Sequence, residues 1–328
     1  MRSGKLGPAA LSRYVFPHLG RRPDVLVHAG VGQDSAVLDF GPSVCVVTCD
    51  PITGAGEHVG RLAVHVACND LAATGAEPVG LLVTLLLAEA TAEDDLERFM
   101  GEAGPAARSL GVEIVGGHTE VTPGIDRTIV VVSAIGRAPQ GGFVSAAGGR
   151  PGDALVLTKS AGVEGTAILA ADLADRLVAR MDEATLTRAR AFIDRISVVP
   201  EGRIAARCGA TAMHDVTEGG VLAGVWELAE ASACGVRLEA DAVPVAPETE
   251  AICQALGADP LALIGSGAML IAVRDPAPLQ DALVRAGIPA TVIGVLLPSE
   301  RTVVRNGRVA ALVPPDRDEL WRLLEHAS

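Results

Sequence analysis

The sequence predicts an α+β fold divided into two sub-domains. Three observations carry that expectation. Strand-like and helix-like stretches are interleaved in each half, and hairpin-like stretches occur in both. A segment rich in Gly and Ala runs from Pro139 to Pro151, after which a strand pattern starts again. The expected domains are therefore residues 1–147 and 148–328.

The elements are expected in the following order. The chain begins Ser-Gly-Lys-Leu-Gly-Pro, which reads as a flexible opening containing Lys5, and a short amphipathic helix follows near Ala9–Leu19. Gly30–Leu38 passes from a glycine turn, holding Asp34, into a strand. Ser43–Cys49 is a β-branched run that places Asp50 at a strand terminus. A helix from about Gly60 ends at the stop signals Gly75 and Pro78, with Asn69 and Asp70 inside it. Gly80–Leu87 reads as a strand, and Ala92–Leu110 as a polar-faced helix with Thr91 as its cap. Val112–Val115 is a short strand leading into Gly116-Gly-His-Thr-Glu120, and Thr128–Ile135 is a strong β run.

The second half repeats the theme. A strand at Ala154–Thr158 leads into Lys159–Gly165 and a helix, with further helices around 184–194 and 199–208. Ala212–Gly220 reads as a turn feeding a helix over Val221–Ala231. Strand patterns recur at 235–238, 268–273, 290–296 and 301–313. Helices are expected at Pro278–Ala286 and Arg317–His326.

Composition narrows the function. The net charge of −13 argues against a nucleic-acid partner, which needs a basic surface. No apolar run has the length of a membrane span and the start lacks a secretory layout, so a cytoplasmic protein is expected. Six scattered cysteines read as buried free thiols, with Cys45 and Cys49 the only spacing open to a metal reading. Of 27 basic residues only Lys5 and Lys159 are lysine, so each is a candidate for chemistry an arginine fork cannot copy. Chance survival is the competing account.

The chemistry concentrates in acidic groups beside glycines. Asp70 lies in a helix of small apolar residues, where an uncompensated carboxylate is costly, so it must face a partner, a metal or a water-lined cleft. Candidate companions are Asp34 after Gly32, Asp50, Glu120 after Gly116-Gly117-His118, and Asp215 before Gly219-Gly220. Carboxylates gathered without lysines suit a hard cation such as Mg²⁺, and glycines admit phosphate oxygens to the backbone. A nucleotide–Mg²⁺ site is expected, although Asp and Gly are also ordinary turn formers. No Walker A sequence is present. His118 reads equally as a ligand or base and as a satisfied loop histidine; His214 reads as structural.

These motifs resemble the ATP-binding superfamily related to aminoimidazole ribonucleotide synthetase. That superfamily includes thiamine-monophosphate kinase, selenophosphate synthetase and the hydrogenase maturation factor of the HypE type. The resemblance spans nearly the whole chain. Gly32-Gln-Asp-Ser-Ala-Val-Leu38, Thr48-Cys-Asp50 and Gly116-Gly-His-Thr-Glu120 are similar to family segments. Asn69-Asp-Leu-Ala-Ala-Thr-Gly-Ala-Glu-Pro78 is the most specific match. Asp215-Val-Thr-Glu-Gly-Gly220 and Asp259-Pro-Leu261 with Gly265-Ser-Gly267 resemble the second domain of the HypE branch.

The resemblance implies a two-domain PurM-like fold, with N-terminal halves pairing into a homodimeric sheet or barrel and helices outside. It implies ATP and Mg²⁺ as cofactors, with Asp34, Asp50 and Asp70 as metal ligands. Asn69, Gly116, Gly117, Asp215, Gly219 and Gly220 would contact the nucleotide, and Lys5, Asp70 and His118 would act in catalysis. The implied reaction is ATP-dependent activation of an amide-like or phosphorylated substrate, and the HypE resemblance adds a maturation protein to the implied partners. Two departures stand out. HypE-type factors carry their intermediate on a C-terminal cysteine, whereas this sequence ends Leu324-Glu-His-Ala-Ser328 and its last cysteine is Cys253. It is therefore not expected to run that carrier step as usually drawn. Asp215-Val-Thr-Glu also lacks the arginine of Asp-Pro-Thr-Arg. A kinase of the thiamine-monophosphate type and a non-catalytic nucleotide-binding assembly protein are the alternatives.

Overall fold

The computed structural model describes residues 8–19, 22–52 and 56–325. The first half contains α1 (Pro8–Tyr14), β1 (Val25–Val27), β2 (Ala36–Asp39), β3 (Ser43–Ile52), α2 (Val59–Ala72), β4 (Glu77–Leu87), α3 (Glu93–Leu110), β5 (Glu113–Val121) and β6 (Ile129–Pro139). Its strands form one six-stranded sheet in the order β1-β2-β3-β6-β4-β5. Among the described residues of this sheet only β4 and β5 pair in parallel, because α3 provides the crossover that parallel neighbours require.

On β6, Val130, Val132 and Ala134 are buried in alternation, as expected of a sheet with one covered face. That face is covered by α2 and α3. The two helices meet backbone to backbone at Gly60, where a Cβ would sit 2.2 Å from the Phe99 carbonyl oxygen. β5 forms the sheet edge, and its Val115 and Val121 are exposed together with Leu82 of β4.

The second half contains β7 (Ala154–Thr158), α4 (Val163–Asp172), α5 (Ala174–Leu177), α6 (Glu183–Arg190), α7 (Val199–Arg207), β8 (Ala212–Asp215), α8 (Gly220–Ala231) and β9 (Gly235–Glu239). There follow α9 (Pro247–Leu256), β10 (Met269–Val273), α10 (Pro276–Arg285), β11 (Ala290–Leu297), β12 (Arg301–Arg305), β13 (Arg308–Ala311) and α11 (Glu319–Glu325). These strands form a seven-stranded sheet in the order β13-β12-β9-β11-β7-β10-β8. Every residue of β8 and β10 is buried, so both strands lie in the interior of the structure. One hydrophobic cluster runs through both halves, joining Val46, Ala67 and Leu81 to Val198, Met213 and Ile271. Among the described residues no helix is long and apolar enough to cross a membrane.

Several local expectations need correction. Asp50 lies inside β3, because its register with β6 continues through Ile52. Gly116–Glu120 is strand rather than loop, paired residue for residue with β4. Residues 212–215 form a strand, held between solvent-free faces, not a turn. Thr91 does not cap α3; its hydroxyl meets Thr128 at 2.9 Å, while Asp95 accepts the Ala92 N–H. Cys49 is exposed, not a buried thiol. Helix α9 has no counterpart in the sequence reading.

Candidate active site at the seam of the two halves

β3 and α2 build the centre of the site. Thr48 and Asp50 are two residues apart on β3 and so point to the same side. The Thr48 hydroxyl lies 2.5 Å from Asp70 Oδ2 and 3.3 Å from Asp50 Oδ2, which places one donor between two carboxylates. Ser35 donates to the Asp70 carbonyl at 3.0 Å, satisfying an acceptor in the last turn of α2. Asp70 is buried, and its carboxyl is held well above the usual range. Burial is the largest cause, followed by the negative charges of Asp50, Asp215 and Asp34; the Thr48 hydrogen bond opposes them.

β8 and the turn before β2 complete the cluster from both halves. Gly32 has φ +71°, and a Cβ there would lie 2.4 Å from the Glu227 carbonyl oxygen. Only glycine lets this turn press against α8. Asp34 is thereby brought to His214, with Oδ1 at 2.6 Å from Nδ1. His214 Nε2 lies 2.9 Å from Glu227 Oε2. Burial disfavours the imidazolium, but the two carboxylates outweigh it and push His214 up to about 10. Ligand-type atoms of Asp34, His214 and Asp215 lie within 4.8 Å of one another.

Asn69 has a different task from the expected one. It is fully buried, its Nδ2 donates to the Ile196 carbonyl at 2.9 Å, and its Oδ1 accepts from Val198 N–H at 2.8 Å. Both ends of the amide grip a second-half segment, so it does not face a phosphate. Lys159 holds the same segment from the other side. Its ammonium donates to the carbonyls of Arg195, Ser197 and Gly267 at 3.1, 2.7 and 2.8 Å and lies 2.6 Å from Glu201 Oε1. A flexible stem with a compact three-donor tip does this where an arginine fork would not fit.

The glycine expectations also change. Gly117 has φ +144°, and a Cβ on it would overlap the Val83 carbonyl oxygen at 1.8 Å. It serves the β4–β5 pairing, and Gly116 lies beside it in the same strand rather than in a phosphate loop. His118 is exposed and 3.0 Å from Glu120, which it holds below the ordinary carboxylate range. It does not join the acidic cluster of its own chain. The Gly219 N–H is occupied by Asp318 Oδ2 at 2.5 Å, and Gly220 packs under the carbonyls of Leu261 and Leu263. Lys5 lies outside the described residues. The structure thus brings together Asp34, Asp50, Asp70 and Asp215, and adds Thr48, His214 and Glu227. The sequence signal for Thr48 was its spacing of two from Asp50; nothing marked Glu227 beyond its helical position.

Comparison with known proteins agrees with this architecture. The model of the AIR synthase related protein N-terminal domain matches residues 32–138, and that of the C-terminal domain matches residues 150–320. Carbamoyl dehydratase HypE of Rhodobacter capsulatus is 34% identical over 252 residues, covering 76% of this chain and 71% of that protein. The structure of hydrogenase maturation protein HypE in complex with ATP superposes with a TM-score of 0.71 at 26% identity, covering 95% of this chain and 96% of the other. The AaThiL structure with AMPPCP and TMP shares the fold, with a TM-score of 0.70 at 22% identity over 88% of this chain and 90% of that one. With both family domains matched and two mixed sheets in a PurM-like α+β arrangement, the chain belongs to the AIR synthase-related family.

Proposed function

We propose that this chain is an ATP- and Mg²⁺-dependent enzyme that activates an amide-like or phosphorylated small substrate by phosphoryl transfer to its oxygen. The observation that carries the reading is the gathering of four carboxylates, Asp70 and Asp215 buried and Asp34 and Asp50 partly exposed, with Asp70 held above its ordinary range. The carboxylates outnumber the one cation beside them, His214, and their oxygen donors fit a hard divalent cation. Asp50, Asp70 and Asp215 would hold the ion; Asp34 would contribute the oxygen not engaged by His214. Bound Mg²⁺ would neutralise polyphosphate charge. Thr48 orients Asp70, Glu227 fixes the ring of His214, and that buried imidazolium offsets the charge of Asp34. Positioning and charge neutralisation supply most of the catalysis in such phosphoryl transfers.

The likeness to carbamoyl dehydratase HypE favours a carbamoyl-type amide as the acceptor. Cys68 and Cys253 do not serve as acceptor thiols, because both are buried and burial pushes each up to about 12. The run Asp215-Val-Thr-Glu-Gly219 favours a second reading, a kinase of the thiamine-monophosphate type. Homodimerisation through the exposed β5 edge is part of the proposal, since an uncovered strand with exposed valines seeks a partner.

Calorimetry with a non-hydrolysable ATP analogue, with and without Mg²⁺, tests the core of the reading. Metal-dependent binding that disappears in Asp50→Asn supports it; absence of binding in both conditions sinks it. ATP turnover with carbamoyl compounds or thiamine monophosphate then separates the two acceptors.

A further inference from the structure

A cleft of about 500 Å³ opens along the seam between the halves, at the turn that follows α2. Its first-half wall includes Ser43, Gly75, Glu77 and Arg137; its second-half wall includes Arg203 and Arg207 of α7. In a chain of net charge −13 this wall is basic, with three guanidinium groups against one carboxylate. Glu77 is already engaged by Arg137, Nε to Oε2 at 2.9 Å. Many second-half arginines are held by acids, among them Arg188, Arg190, Arg301 and Arg305. Arg203 and Arg207 are exposed and have no acidic partner among the described residues. Four positions apart on one helix, they present their charges on the same face.

We infer that this cleft binds a phosphate-bearing anion, with Arg203 and Arg207 supplying forked donors and Arg137 closing from the opposite half. Planar guanidinium forks match the spacing of phosphate oxygens, and the volume lies within the ordinary range for small-molecule sites. A diphosphate or a compact phosphate ester fits that chemistry. The ligand would bridge β6 and α7, and α7 leads directly to the site. It follows Val198, which Asn69 grips, and it carries Glu201, which Lys159 holds. At Gly202 the α7 backbone approaches the Ala72 carbonyl so closely that a Cβ would lie 2.0 Å from it. An anion that draws α7 toward β6 therefore bears on the helical turn that presents Asp70.

The test is calorimetry of the full chain with inorganic pyrophosphate in EDTA. Without a divalent ion the four-carboxylate cluster repels polyphosphate, so the heat reports the arginine cleft alone. The expected result is binding that weakens with added salt. It should fall about tenfold in Arg203→Gln, vanish in the Arg203→Gln/Arg207→Gln double variant and persist in Asp50→Asn. A melting curve checks that the double variant folds. Absence of pyrophosphate binding overturns the inference, as does binding that survives the double variant or is lost in Asp50→Asn. Preference for a poly-glutamate peptide over pyrophosphate also overturns it, and makes the cleft a protein-docking surface.

Discussion

The Thr48 hydroxyl sits between the carboxylates of Asp70 and Asp50, nearer the former by 0.8 Å (2.5 against 3.3 Å). A single proton donor thus sets the orientation of two acids from different elements. Thr48→Val keeps the shape and removes the donor. Mg²⁺ affinity, read by calorimetry, should drop by about tenfold or more, the usual cost of losing a group that orients a ligand. Unchanged affinity would show that the carboxylates orient themselves.

Asp70 itself should be a destabilising residue when no metal is bound. Its folded-state pKa is raised, so the folded state resists ionisation that the unfolded state accepts. The cost is absent below the ordinary carboxylate range and grows as pH rises through it. Asp70→Asn should therefore stabilise the metal-free protein at neutral pH, by roughly 1–2 kcal/mol, while abolishing metal-dependent nucleotide binding. A lower melting temperature in EDTA would contradict this.

Glu164 provides a pH-dependent stability test away from the acidic centre. Burial, opposed by hydrogen bonds from Ser266 and aided by Glu218, raises it from 4.5 to about 7. Between those values the folded state keeps a proton that the unfolded state releases, so stability falls as pH rises from about 4.5 to 7. The contribution is on the order of 3 kcal/mol. Melting temperatures of Glu164→Gln at several pH values should show a flatter profile than the wild type; an unchanged slope would refute the assignment.

Lys159 and Glu201 form a buried pair, so removing one partner should cost far more than the pair contributes. Lys159→Met is expected to lose about 3–5 kcal/mol in denaturant unfolding, because it strands a carboxylate and three carbonyls. Adding Glu201→Gln should recover part of the loss. Additive effects would mean the two side chains act independently.

Much of this arrangement is legible in the sequence. Asp70 is locally anomalous as an acid inside an apolar helix, and Asp34, Asp50 and Asp215 repeat a pattern of acids at glycine turns or strand ends; the structure gathers those four. The parts that stayed hidden depend on long-range pairing. Nothing near Asn69 in sequence indicates that its amide grips Val198, 129 positions away. Gly116 and Gly117 looked like a loop because glycine weakens a strand pattern, yet their pairing with β4 decides their conformation. His214 reads as structural from the sequence, which gives no local sign of its two acidic partners, since they come from a turn in the other half and from the following helix.

The distribution of the site over both halves also bears on how the molecule is made. Asp215 follows Asp70 by 145 positions, roughly ten seconds of ribosomal synthesis. During that interval the nascent first half displays its acids without His214, Asp215 or the segment that Asn69 holds. On the proposed function, nucleotide would therefore reward only a chain that has emerged past α8, which would make its capture a checkpoint on finished biogenesis.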